Sequence, residues 1–163
     1  MGGLGLGSYL AGRNIDRVKD PIRLVRLYGI LELAIGAYGI ILPLLLVLFR
    51  PIYSIIYNYL FGHFLVYNLF TFVGCFILLI IPVTCMGATL PILSRFFITS
   101  ISKVSTHVGR LYGLNTIGAA AGSVLCGFWL IDSLGVYGSL IFAIVLNGLI
   151  GGICILVSSR RIL

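Results

Sequence analysis

An all-α bundle of membrane-spanning helices is the fold this sequence predicts, and three observations predict it. Of the 163 residues, 60% are hydrophobic and only 9% are Asp, Glu, Lys or Arg, against about 25% charged in ordinary soluble domains. Long apolar runs recur along the chain. The eleven Lys and Arg residues gather almost entirely in the short segments between those runs. So few charges cannot cover a water-soluble fold, whereas lipid demands that each span satisfy its own backbone, which a helix does. The 21 glycines and 5 prolines suit that setting, because membrane helices carry both more often than soluble ones. The length gives a single domain over residues 1–163.

The opening stretch, 1–12, is apolar and glycine-rich but only about 18 Å long as a helix, short of the ~30 Å hydrocarbon core. It reads as the second half of a helix whose first half would precede Met1. A secretory signal would carry its basic residues ahead of the apolar run, and here Arg13 and Arg17 follow it. Four spans come next: Leu27 to Phe49, His63 to Leu93, Leu111 to Ile131 and Leu134 to Val157. Each reaches the ~20 residues that cross a bilayer. The stretch from Pro51 to Ser94 has no charged residue apart from His63, which is too long for one crossing. Its first part resolves the problem, since Ile52, Ile55, Ile56, Tyr59 and Leu60 fall on one helical face and Tyr53, Ser54, Tyr57 and Asn58 on the others. That pattern predicts a short interfacial helix over 52–61, in the layer where tyrosines are favoured.

Charge sets the orientation, because Lys and Arg collect on the cytoplasmic side. Placing the Arg13 to Arg26 loop there puts Arg13, Arg17, Lys19, Arg23, Arg26, Arg95, Lys103, Arg110, Arg160 and Arg161 on one face and leaves only Arg50 on the other. The C-terminus is then cytoplasmic, and the bilayer expected is a prokaryotic inner membrane. The net charge of +7 forms no extended basic face, which argues against nucleic acid as a partner. Cys75, Cys85, Cys126 and Cys154 all lie inside apolar runs without metal or redox spacing, and read as small apolar fillers.

Few residues point to chemistry. Glu32 is the one acid inside a span, about 7 to 8 Å from its cytoplasmic edge. An intramembrane carboxyl is a functional candidate by default, either for proton coupling or for a cationic solute. The structural alternative pairs it with Arg110, or bonds it to Tyr112 or Asn115, which lie at matching depth on another span. Glu32 and Asn115 are thus the candidate substrate-binding residues. Gly109/Gly113, Gly118/Gly122 and Gly148/Gly152, like Gly3/Gly7, repeat at spacings of four and are expected to pack helices closely. Pro43, Pro82 and Pro91 fall inside spans and free carbonyls that nearby Thr84 or Thr89 could satisfy. His63 and His107 lie at opposite ends of the topology and offer no metal site. Gly2 to Gly7 lacks the strand and the Gly-Lys-Ser/Thr ending of a nucleotide loop, and neither a Gly-x-Ser-x-Gly nor a carboxylate pair occurs. No catalytic residue, metal or cofactor is expected.

Three segments carry a resemblance. Gly7-Ser-Tyr-Leu-Ala-Gly12-Arg13-Asn-Ile-Asp16-Arg17 resembles the loop after the second helix of the major facilitator superfamily. Met86-Gly-Ala-Thr-Leu-Pro91-Ile-Leu-Ser-Arg95 and Gly109-Arg110-Leu-Tyr-Gly-Leu-Asn115-Thr-Ile-Gly118-Ala-Ala-Ala-Gly122-Ser resemble the membrane region of spermidine synthase-like proteins. In those proteins a facilitator-like bundle accompanies a soluble aminopropyltransferase-like domain. The resemblance implies half of a facilitator-like bundle, with the spans over 27–157 equivalent to its third to sixth helices and the chemical domain elsewhere. It marks Arg13, Asp16 and Arg17 as the loop charge cluster, although Val18-Lys19-Asp20 stands where that loop expects a glycine. The function expected is a non-catalytic subunit or anchor in the lipid bilayer, partnered by other membrane subunits or by itself. The alternative is a dimeric transporter of a small cationic, polyamine-like solute.

Overall fold

A computed structural model describes residues 2–18, 20–60, 62–97 and 104–160. It is helical throughout: α1 spans Gly2–Ile15, α2 Pro21–Leu60, α3 Phe64–Phe97, α4 Val104–Leu125 and α5 Ile131–Arg160. One π turn, Cys126–Leu130, joins α4 to α5. Three helical stretches, Pro21–Tyr59, Phe64–Phe97 and Val108–Arg160, are long and apolar enough to cross a membrane. The chain is therefore a multi-pass integral membrane protein. Lys19, Lys103 and Arg161, counted above with the basic loops, lie outside the described residues.

The entry to α2 is written in its first residues. Asp20 stands as the N-cap, its Oδ1 accepting the Ile22 N–H at 2.9 Å. Pro21 then takes the first helical position, where its missing N–H costs nothing. Arg23 turns back to Asp20, Nε to Oδ2 at 3.8 Å, the only ion pair among the described residues. The loop charge cluster of Arg13, Asp16 and Arg17 stays exposed.

Close contacts fix the directions of the helices. Gly3 faces Ile80 and Val83, and Gly7 faces Thr84 and Ala88, so α1 and α3 run parallel. Gly29 meets Cys154 while Gly39 meets Ile144, so α2 and α5 run antiparallel. Tyr38 of α2 bonds Leu78 of α3, and Tyr53 stacks edge-on to Tyr67, again antiparallel. The packed pairs are α1 with α3, α3 with α2, and α2 with α5. The helices therefore stand in a row, α1–α3–α2–α5. A row buries little, and the buried apolar residues are Ile15, Leu24 and Ile92, clustered where α1 closes and α2 opens.

Two prolines in α3 show what holds the row together. Proline removes the N–H that would bond the carbonyl four residues earlier. Pro82 thus frees the carbonyl of Leu78 and Pro91 that of Gly87. The Tyr38 hydroxyl donates to Leu78 O at 2.5 Å, and the Ser8 hydroxyl donates to Gly87 O at 2.8 Å. Both orphaned acceptors of α3 are satisfied by side chains of neighbouring helices, one from each side. The threonines expected to do this do not: Thr89 donates instead to Met86 O at 2.7 Å.

The structure departs from the sequence reading in two places. The interfacial helix over 52–61 is not separate, because α2 continues through Pro43 and Pro51 for 40 residues, about 60 Å at helical rise. Pro51 leaves a single carbonyl unbonded, and Tyr53 and Tyr57 hold this stretch against Tyr67 at ring distances of 5.7 and 5.5 Å. The spans over 111–131 and 134–157 do part in the stretch 132–135: helical bonding runs on through the π turn, and two helices meet at a kink at Gly135, at φ 69° and ψ 177°, a conformation open essentially to glycine.

The second departure concerns the glycines expected to pack helices, of which Gly3 and Gly7 do meet α3 closely. An added Cβ at Gly109, Gly113, Gly118, Gly122, Gly148 or Gly152 would meet no atom within 4 Å. For the first four the reason is that α4 touches only α3, and sparsely, apart from the π turn that prolongs it. For the last two it is register. The stripe of α5 that faces α2 is Ile144, Asn147, Gly151 and Cys154, and Gly148 and Gly152 straddle it. Between α2 and α5 the close approach is at Gly29 and Gly151, an added Cβ on Gly151 lying 2.8 Å from Gly29 O.

Candidate functional site

The polar groups of the apolar interior gather at the seam between α2 and α5. Gly29 and Gly36 sit seven residues apart on α2 and so recur on one face after two turns. Opposite them, Gly151 and Asn147 let the two backbones close, with the Gly36 position 3.4 Å from the Asn147 Cβ. Glu32 lies between those two glycines and is only 9% exposed. Tyr28, one turn earlier on the same helix, lies close to the Glu32 carboxyl. From α5, the Cys154 thiol lies in the field of the same carboxyl. The seam therefore holds a carboxyl, a phenol and a thiol between walls of glycine and aliphatic side chains.

Such an arrangement can clasp two helices. A carboxyl in a bilayer interior is expensive unless polar neighbours answer it, and here they come from its own helix and from the facing one. No basic side chain pairs with Glu32, since the only ion pair among the described residues is Arg23–Asp20. The sequence-predicted partners are elsewhere. Asn115 and Arg110 are exposed on α4, which makes no contact with α2 or α5, so Glu32 and Asn115 do not form one site.

Glu32 lines neither of two clefts on the row. One, of about 260 Å³, is walled by Gly2, Gly3, Phe72, Phe76, Leu79 and Val83, between α1 and the first half of α3. The other, of about 140 Å³, lies where α2 opens and α3 and α5 close. Among the described residues no three His, Cys, Asp or Glu side chains come close enough to share a metal ion.

Sequence reasoning missed two polar features. The Tyr53 and Tyr67 hydroxyls bond one another, with the Thr71 hydroxyl 3.4 Å from that of Tyr53. It also missed the paired hydroxyls of Ser8 and Tyr38 on α3. A signal existed for the second, because Pro82 and Pro91 name the carbonyls that need donors. Nothing in the sequence names the helices that supply them.

Fold and seam define a class, a helical multi-pass membrane protein whose polar interior residues join helices. Comparison with protein-family models, with curated proteins and with solved structures finds no match to this chain.

Proposed function

We propose that this protein is a non-catalytic membrane subunit that anchors or organises a larger assembly in a cytoplasmic membrane, with its basic end toward the cytoplasm. The observation that carries this reading is α4. Twenty-two residues long, with Gly109, Gly113, Gly118 and Gly122 all open, it stands against almost nothing of its own chain. Small residues on a membrane helix let another helix approach closely, so α4 suits a helix of another subunit. The resemblance of 86–95 and 109–123 to the membrane region of spermidine synthase-like proteins supports the same reading, since that region accompanies a separate chemical domain. The position of Glu32 weighs against the transporter alternative, because a solute site needs a path and this carboxyl is closed into the seam between two helices.

The test is purification of the full chain from its own membrane in mild detergent. The expected result is a stoichiometric complex with other membrane proteins. Gly113→Ile or Gly118→Ile should dissociate that complex while leaving the helical content of the chain unchanged. A chain that is monodisperse alone, and that moves spermidine into liposomes until Glu32→Gln stops the flux, would establish the transporter instead.

A further inference from the structure

From Leu114 to Leu125 every residue of α4 is exposed, about 18 Å of helix within a stretch apolar enough to cross a membrane. Two polar side chains in it need no partner, because Thr116 and Ser123 bond carbonyls of their own helix. Asn115 is different. Its amide makes no hydrogen bond among the described residues, and it stands five residues beyond Arg110, about 7.5 Å further into the span. An amide left without a partner in hydrocarbon is costly, and membrane helices answer asparagine by bonding it across to another helix.

The face that carries Asn115 is shaped for such a neighbour. Leu111, Asn115, Gly118, Ala119 and Gly122 recur at i, i+4, i+7, i+8 and i+11, so they share one side of α4. Above the amide that side holds only glycine and alanine, and a Cβ added at Gly118 or Gly122 would meet nothing within 4 Å. Arg110, the one Lys or Arg of α4, lies about 140° round the helix from Asn115. No acid occurs in α4. Nothing on this face calls for a charged partner, and nothing on it repels a copy of itself.

We propose that the chain pairs with a second copy of itself through this face of α4, the two Asn115 amides bonding each other across a two-fold axis normal to the membrane. The pairing rests on α4 being the helix that meets another subunit, and it names that subunit. Copies inserted in one orientation hold equal residues at equal depth, so at a two-fold contact Asn115 meets Asn115, residue against identical residue. An amide carries both donors and an acceptor, and its own copy therefore satisfies it. A carboxylate or a guanidinium cannot serve itself in this way. Close approach of the backbones at Gly118 and Gly122 lets the short Asn115 side chains reach each other.

The experiment is sedimentation equilibrium, in density-matched detergent, of the full chain extracted mildly from its own membrane. Two copies per particle are expected. Asn115→Leu should weaken the pairing at least about tenfold, the loss that one or two interhelical hydrogen bonds imply. Asn115→Gln keeps an amide able to pair with its copy and should stay within about threefold of the parent. Gly122→Ile, on the same face, should also weaken pairing about tenfold by holding the backbones apart. Ile117→Ala, about 160° away, should change nothing. All four positions are exposed within the chain, so circular dichroism should match the parent throughout. One copy bound stoichiometrically to a different membrane protein would overturn the pairing and leave the subunit reading of α4 intact. A lone single copy would overturn both. Two copies that persist undiminished in Asn115→Leu would overturn the placing of Asn115 on the axis.

Discussion

Removing the Tyr38 hydroxyl tests the account of the proline-freed carbonyls. Tyr38→Phe keeps the ring and deletes the only donor seen on Leu78 O, a bond of 2.5 Å, within the normal range for O–H···O. Interhelical hydrogen bonds in membranes average about 0.6 kcal/mol and reach about 1.7. An acceptor left unsatisfied in apolar surroundings costs about 1–3 kcal/mol. The carbonyl cannot fall back on its own helix, because residue 82 is proline, so the loss should lie toward the upper membrane value, about 1.5 kcal/mol. Pro82→Ala supplies the missing N–H. In that background the same loss of hydroxyl should cost under about 0.5 kcal/mol, giving a coupling of about 1 kcal/mol, well beyond the ~0.3–0.5 kcal/mol expected of independent sites. The assay is unfolding in mixed micelles by titrated SDS, followed by far-ultraviolet circular dichroism, for the parent, the two single variants and the double. Ser8→Ala with Pro91→Ala should repeat the coupling at Gly87 O, while Tyr38→Phe with Pro91→Ala should be additive. Additivity of Tyr38→Phe with Pro82→Ala would refute the reasoning.

Further outcomes follow from the same contacts. Gly29→Ala or Gly151→Ala should each destabilise by about 1–3 kcal/mol, since their added Cβ atoms would lie 2.9 Å from Cys154 Cβ and 2.8 Å from Leu33 Cγ. Gly148→Ala and Gly152→Ala, one register away with open space, should be neutral or slightly stabilising in the same SDS titration. Gly135→Ala places a Cβ at φ 69° and should cost about 1–3 kcal/mol, read as a lower SDS midpoint. Asp20→Ala removes the cap of α2 and should cost about 1 kcal/mol, with faster amide exchange confined to its first turn.

The helical class was legible in the sequence because apolar composition and span length are strong signals that survive any packing. Helix starts with explicit chemistry were also open to reading, as Asp20 and Pro21 show at α2. Register was not. Glycine pairs at a spacing of four occur on α1, α4 and α5, and spacing alone cannot say which face meets a neighbour. It selected Gly148 and Gly152, whereas α5 approaches α2 through Gly151, Asn147 and Cys154. Tertiary adjacency was equally hidden. Matching depth in the bilayer suggested Asn115 for Glu32, but depth fixes one coordinate of three, and the helix that reaches Glu32 is α5.

The seam and the row bear on each other. A helix pair in lipid gains no hydrophobic force from association, so close packing and polar contacts must hold it. Between α2 and α5 both occur within three turns: backbones brought together at Gly29 and Gly151, and the Tyr28–Glu32 pair facing Cys154. Between α3 and its two neighbours the hydroxyls of Ser8 and Tyr38 serve the same purpose. Every joint in the row thus combines a close approach or a polar donor with a carbonyl, carboxyl or thiol that would otherwise face lipid. On α4 the polar side chains behave differently. Thr116 donates to Tyr112 O at 2.9 Å and Ser123 to Ala120 O at 2.9 Å, both within the helix itself. With Thr116 and Ser123 bonded within the helix, the open glycines of α4 stand beside Tyr112 and Asn115, both exposed; small residues of this kind are what lets another membrane helix approach closely.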